Sequence, residues 1–359
     1  MESIELEGRA YYGRITKQLL HDIPPHSIII IEHEDIDIVA AEDMVRKNVK
    51  GVINTRASMT GKLPRTGVSH LIDHGIPVYD LVSTMRYPLS EPTLIRIANS
   101  KAYFEIHNKW EVLGNIFPYT VQHVQEKSME GNFQFNNLYR KFVTNSFHFA
   151  NMELDTFIKA VEALPKLTDL EDQCTFVVAR GPGVEEDLQI VRSYIKQKPC
   201  SIIAVDGASA LLYHYNIKPD YIIGDMDSIP KEVFKYSCRY IAHSYMNGTS
   251  PGQERLKQLS IPCEAIPFPG LSEDLAIMLA YVSESEHIFT LGCRNSVVEL
   301  VEKAREGMGS TLLTRMYAGE RISDLKAVNH WLSIPNNLQM VREYMLENSL
   351  TEEYRVDES

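Results

Sequence analysis

Short apolar runs alternate along much of this chain with stretches whose apolar residues recur every three or four positions. The runs read as strands buried on both faces, and the periodic stretches read as amphipathic helices. Residues 27–31, 49–54 and 75–79 are expected strands of a first domain, with a helix over 39–48, a polar loop over 56–66 and a short helix after it. Such alternation predicts an α/β domain over 1–110. From 111 to about 170 aromatics and Asn become frequent and turn signals few, while Leu138, Phe142, Phe149, Phe157, Ile158 and Val161 keep helical spacing. A helical connector is expected there.

A second domain follows over 171–332. Strands are predicted at 174–179, 201–205, 221–223 and 288–291, with weaker ones at 240–242 and 263–266. Helices are predicted between them at 185–196, 208–215, 231–236 and 273–281, and after the last strand at 297–305. This regular alternation predicts a parallel sheet covered on both faces, with ligands at the carboxyl ends of its strands. Beyond Trp331 the chain turns polar and acidic, so 333–359 reads as a terminal helix and a frayed acidic tail.

Composition changes this picture little. A chain of 359 residues exceeds one ordinary core, which fits two domains. Its formal charge of -12 offers no basic surplus for nucleic-acid phosphates, so no nucleic-acid partner is expected. The five cysteines are scattered, with no C-x-x-C pair, which fits reduced thiols better than disulfides or a zinc site. The acidic start Met1-Glu2-Ser3-Ile4-Glu5 is no signal peptide, and no apolar run is long enough to span a bilayer. A cytoplasmic location without a membrane anchor is expected.

The chemistry concentrates at Gly224-Asp225-Met226-Asp227-Ser228, directly after the strand 221–223. Side chains alternate along an extended chain, so Asp225 and Asp227 point to one side. Two converging carboxylates repel and call for a cation; Mg²⁺, held by one or two carboxylates and phosphate oxygens, is the usual answer. A strand-to-loop turn would use the same residues for turn geometry alone. Two more acids arrive at the same predicted edge. Asp206 ends the strand 201–205, with Gly207 behind it, and Asp274 lies in the first turn of a helix. Each has a structural alternative, Asp206-Gly207 as a turn pair and Asp274 as a helix N-terminal acid.

The segments Val205-Asp206-Gly207-Ala208 and Lys218-Pro219-Asp220-Tyr221-Ile222-Ile223-Gly224-Asp225-Met226-Asp227-Ser228 resemble the catalytic domain of thiamin pyrophosphokinases. The resemblance implies a Rossmann-like parallel sheet in which Asp206, Asp225, Asp227 and Asp274 hold Mg²⁺ and the phosphates of ATP. A substrate hydroxyl would attack the β-phosphorus and AMP would leave, with Ser228 beside the phosphates. A wider resemblance, to the SteA-type family associated with the bacterial cytokinetic ring, adds R-G-x-x-x-x-E-D-L from Arg180, P-G-x-E-R-L from Pro251, S-E-D-L-A from Ser272 and G-M-x-S-T-x-L-T-R from Gly307. It implies a cell-division protein partner. The chain departs from thiamin pyrophosphokinases in three ways: Asp274 lies further beyond Asp227, Gly292-Cys293-Arg294-Asn295-Ser296 lacks the Asp and His of the family's later motif, and no β-sandwich follows. Thiamin is therefore not the expected acceptor.

Supporting phosphate contacts are expected from Arg180, Gly181 and Gly183 at a strand-helix turn, where glycines admit a phosphate to backbone N–H groups. Ser310, Thr311 and Arg315 form a second candidate group, and Arg255 and Arg294 are further guanidiniums able to meet phosphate. Glu32-His33-Glu34-Asp35-Ile36-Asp37 in the first domain reads as a solvated loop in which Asp35 or Asp37 caps the next helix. Residues 27–79 also resemble the swivelling phosphohistidine domain, but Thr66 stands where that family has its His, so no phosphocarrier role is implied. The sequence thus predicts an Mg²⁺-dependent, ATP-binding pyrophosphokinase-like protein acting on an unidentified small alcohol. The alternative is a non-catalytic nucleotide-binding scaffold or regulator in cell division. A homodimer is compatible with either.

Overall fold

A computed structural model describes residues 4–63, 67–83, 92–197, 199–227, 229–302 and 305–332. The calls on Thr66, on Ser228 and on the helix and tail over 333–359 lie outside the described residues. The chain divides into two compact units, one of Met1–Val143 with Ser296–Arg305 and the other of Thr144–Asn295 with Glu306–Ser359.

The first unit begins with strand β1 (Ile4–Gly13), followed by α1 (Thr16–Asp22), β2 (Ile28–Ile31), α2 (Ile38–Arg46), β3 (Gly51–Asn54), α3 (Gly67–Asp73) and β4 (Val78–Leu81). Strands β5 (Thr93–Ala98), β6 (Lys101–Ile106) and β7 (Lys109–Pro118) then close the sheet into a barrel in the order β1-β2-β3-β4-β7-β6-β5. The first four strands pair in parallel and the others antiparallel. In β2 every side chain is buried, because the two faces go to different cores. Ile28 and Ile30 pack with Ile53, Ile95, Ile97 and Phe104, while Ile29 and Ile31 pack with Met44, Val68 and Leu71 of the covering helices.

The first domain was expected to be α/β, and its sheet is a closed barrel, which that expectation did not describe. Residues 111–118, read as the start of a helical connector, belong to the strand β7; the helix α4 (Val121–Glu162) begins only after them. The hairpins β5-β6 and β6-β7 have two-residue turns, Asn99-Ser100 and His107-Asn108, all four residues at positive φ. Such turns match the right-handed strand twist. Asp37 caps α2, accepting from the Ala40 N–H at 3.0 Å.

The second unit carries β8 (Cys174–Val178), α5 (Val184–Gln197), β9 (Cys200–Val205), α6 (Ala208–His214), β10 (Tyr221–Gly224), a 3₁₀ turn at Lys231–Lys235, β11 (Arg239–Ser244), α7 (Pro251–Gln258) and β12 (Cys263–Pro267). After these come α8 (Ser272–Val282), β13 (His287–Leu291), α9 (Val297–Val301, which groups with the first unit), α10 (Gly309–Ala318), β14 (Ile322–Asp324) and α11 (Val328–Leu332). Seven strands form one sheet, β12-β11-β10-β9-β8-β13-β14, with every pairing parallel.

Alternation along each strand feeds two cores. Ile203, Val205, Tyr221 and Ile223 meet α8 and Phe157 of α4; Ile202, Ala204 and Ile222 meet Leu188, Leu211, Leu212 and Leu256 of α5, α6 and α7. Helix α8 is buried continuously from Glu273 to Ala280, as its nearly unbroken apolar sequence requires.

The positive φ of Ser100 (57°) costs an L-residue on the order of 1 kcal/mol. Ser100→Gly should therefore stabilise the first unit by about 0.5–1 kcal/mol. Urea unfolding of both proteins checks this; an unchanged or lower midpoint contradicts the turn geometry.

Candidate functional site

Asp206 follows β9 in the left-handed conformation (φ 45°), which Asp tolerates better than most residues. Its N–H reaches the Ile223 carbonyl at 3.0 Å, so the residue is hooked onto neighbouring β10. Its carboxyl then lies over Gly224 and accepts from the Met226 N–H at 3.1 Å. A Cβ on residue 224 would sit 1.8 Å from Asp206 Oδ1, so only glycine fits there, at φ 153°. Gly207 supplies the N-cap of α6.

Beyond Gly224 the chain turns through buried Met226 at φ 63°, and Asp225 Oδ1 accepts from the Asp227 N–H at 3.2 Å. Arg255 of α7 holds this turn, donating to the carbonyls of Met226 and of Ile229, the latter at 3.2 Å. Gly252 allows the approach of α7: a Cβ there would lie 2.5 Å from the Asp225 carbonyl oxygen. Arg255 thus clamps the acidic turn with its guanidinium, which was a candidate phosphate ligand.

Three acids interact here. Burial, then the Asp225 charge, pushes the Asp206 carboxyl up to about 8. Asp225, although largely exposed as a residue, is also pushed up, first by desolvation and then by Asp227. Asp225 raises Asp206 and Asp227 raises Asp225, and carboxyls crowded in this way gain from a cation between them. Asp274 sits at the start of α8. Its Oδ2 accepts from the Leu271 N–H at 2.9 Å and from Thr311 Oγ1 at 2.7 Å, beneath Gly270 at φ 100°.

Among the described residues no three His, Cys, Asp or Glu side chains are set to hold a metal ion together. The donor chemistry still fits Mg²⁺, which takes only oxygen and needs only one or two carboxylates when a phosphate ligand supplies the rest. Asp225 and Asp227 are the exposed pair of the group.

The other phosphate candidates divide by place. Gly181 packs on the backbone of Gly292, and a Cβ there would meet the Gly292 carbonyl oxygen at 2.3 Å; Gly183 takes φ 70° with open space around it. The Arg180 carbonyl accepts from Arg294 Nη2 at 2.8 Å. Arg294 also grips Glu273, Nη1 to Oε1 at 3.0 Å and backbone N–H to Oε2 at 2.8 Å. Ser310 donates to Glu153, and Thr311 is committed to Asp274. Arg315 Nε is buried with no hydrogen-bond partner in the described structure.

Two groups went unread in the sequence. Burial pushes buried Glu273 up to about 7, against the pull of Arg294. His243, near the carboxyl end of β11, contacts both Phe268 and Ser272. Its place at a strand end beside β10 was the available signal.

The family described as thiamin pyrophosphokinase, catalytic domain, matches residues 191–295. That stretch contains Asp206, Asp225, Asp227 and Asp274 but neither the Arg180 turn nor α10. Among solved structures the chain is similar to a thiamin pyrophosphokinase from Geobacillus thermodenitrificans, with 18% identity and a TM-score of 0.28, over 42% of this chain and 59% of that one. The chain therefore spans less than two thirds of that protein. No curated protein matches. No described helix is long and apolar enough to cross a membrane.

The raised Asp206 carboxyl has a pH signature. Its proton is held more tightly in the folded than in the unfolded chain, so folding loses stability as pH rises from the ordinary carboxyl range through about 8. Asp206→Asn keeps an oxygen for the Met226 N–H and removes the ionisation. Without divalent cations its thermal midpoint should exceed that of wild type at pH 8, and the gap should close towards pH 4. Equal pH profiles for the two proteins contradict the burial of this acid.

Proposed function

We propose that the second unit binds ATP with Mg²⁺ and transfers a diphosphoryl group to the hydroxyl of a small molecule other than thiamin. The observation that carries this reading is the convergence of Asp206, Asp225 and Asp227 at the ends of β9 and β10, within the stretch that matches a thiamin pyrophosphokinase catalytic domain. Asp225 and Asp227 would hold Mg²⁺, with Asp206 behind them and Asp274 completing the acidic rim. The bound metal would draw charge from the transferred phosphorus. Gly207, Ser228 and the groups Arg180, Gly181, Gly183 and Ser310, Thr311, Arg315 are the proposed phosphate contacts. The acids would hold the metal, whose charge would help to orient the nucleotide, and the Arg255 clamp fixes the turn that carries Asp225 and Asp227.

A second reading, a nucleotide-binding scaffold or regulator without transfer, is favoured by the closed state of Asp274, whose Oδ2 is taken by Leu271 and Thr311. The likeness to SteA-type proteins supports a cell-division partner under either reading.

Calorimetry should detect Mg·ATP binding that weakens at least about tenfold in Asp225→Asn/Asp227→Asn, with AMP released when a suitable alcohol is supplied. Binding without AMP for any alcohol selects the scaffold. Absence of Mg·ATP binding in wild type overturns both readings.

A further inference from the structure

The proposed nucleotide chemistry gives His243 no part. Its Nε2 lies 2.7 Å from the Phe268 carbonyl oxygen and its Nδ1 lies 3.2 Å from Ser272 Oγ. A carbonyl oxygen can only accept, so the neutral ring carries its proton on Nε2 and leaves Nδ1 as an acceptor. Ser272 therefore donates its hydroxyl proton to His243. Burial lowers the affinity of the ring for a second proton, which keeps it in this accepting form, while the Asp225 charge favours the cation once formed. Ser272 is the first residue of the eleven-residue α8, and the positive end of a helix stabilises negative charge on its oxygen. Both residues are half-buried, unlike the enclosed Glu273 and Asp274 next to them.

A hydroxyl, a base within hydrogen-bond reach and a third group orienting that base are the parts of an activated nucleophile. We propose that Ser272 is a nucleophile activated by His243 and that it accepts a phosphoryl or diphosphoryl group from a phosphoric anhydride. With ATP as donor this rests on the preceding reading; the activated serine itself does not. Ser272 Oγ bonds to phosphorus, the bridging P–O bond breaks with its electron pair on the departing nucleotide, and the hydroxyl proton passes to Nδ1. The nucleotide leaves as AMP if the β-phosphorus is attacked and as ADP if the γ-phosphorus is. An acceptor hydroxyl or water then attacks the phosphorus. His243 returns its proton to the leaving Oγ, and the acceptor's proton goes to solvent.

A fluorophosphonate tests the serine without any nucleotide, since Oγ displaces fluoride from phosphorus. Wild type should gain one adduct, mapped to Ser272, and Ser272→Ala should gain none. His243→Gln can still donate to the Phe268 carbonyl, so it preserves the tie between β11 and α8 while removing the base. It should fold with an unchanged circular dichroism spectrum and label at least about 100-fold more slowly. An unlabelled Ser272 in wild type, or labelling of His243→Gln at the wild-type rate, overturns the proposal. Mg·ATP binding measured on the same samples separates the two readings. Labelling without ATP binding overturns the nucleotide reading and supports the nucleophile, whereas ATP binding without labelling does the reverse.

Discussion

The carboxyl of Asp206 occupies the space where residue 224 would carry a side chain, and the acidic rim is organised around that contact. β9 and β10 are neighbours, but pairing alone would leave their ends free to diverge. The bonds from the Asp206 N–H to Ile223 and from the Met226 N–H to Asp206 tie the two ends together. With the turn fixed there, Met226 goes into the core at a positive φ that few methionines adopt, and Asp225 and Asp227 flank it. The arrangement is unfavourable for an isolated fold, since a carboxyl raised to about 8 reports work done against burial and like charge. Strain and charge repulsion concentrated at strand ends are the usual marks of a functional site.

In a parallel sheet the crevice for ligands ordinarily opens where the chain reverses its order, here between β8 and β13. In this molecule that crevice is partly closed. Gly181 and Gly292 bring their backbones into contact, and Arg294 stitches the Arg180 carbonyl to Glu273 of α8. The charged groups at that point satisfy one another, apart from the buried Nε of Arg315. The exposed acids Asp225 and Asp227 lie instead three strands away from β13, at the end of β10. The open chemistry of the rim is thus displaced towards the side where His243 and Ser272 meet.

Much of the second unit was legible because its central strands β8, β9 and β10 are buried almost throughout and each is separated from the next by a helix or turn. The Asp-x-Asp pair was visible as a motif, but not through period-two geometry: the strand ends at Gly224 and the chain turns through Met226 at positive φ, so a turn and not an extended run carries both acids. The first unit was not, because its closure depends on β1 pairing with β5, Glu7 opposite Arg96, and nothing local announces that pairing. Its hairpin turns also lack the glycine that usually marks them; Asn99-Ser100 and His107-Asn108 reach positive φ without it. Val112, Leu113 and Ile116 then read as connector, although they belong to β7. His243 and Ser272 stayed hidden because their meeting depends on where α8 begins against β11.

The start of α8 carries one more lesson about acids in sequence. Ser272, Glu273 and Asp274 follow one another, and the pattern invites the choice of a carboxylate as the reactive group. Folding assigns them otherwise. Glu273 enters the core and is neutralised by Arg294, while Asp274 returns to the Leu271 N–H and ties α10 to α8 through Thr311. Both carboxyls therefore serve to hold the helix end, each against a fixed partner. The hydroxyl of Ser272, bonded to an imidazole that is itself held by a carbonyl, is the group in this turn whose contacts favour losing a proton. A helix terminus that leaves a hydroxyl on a neutral base beside its buried acids has the parts that attack at phosphorus requires.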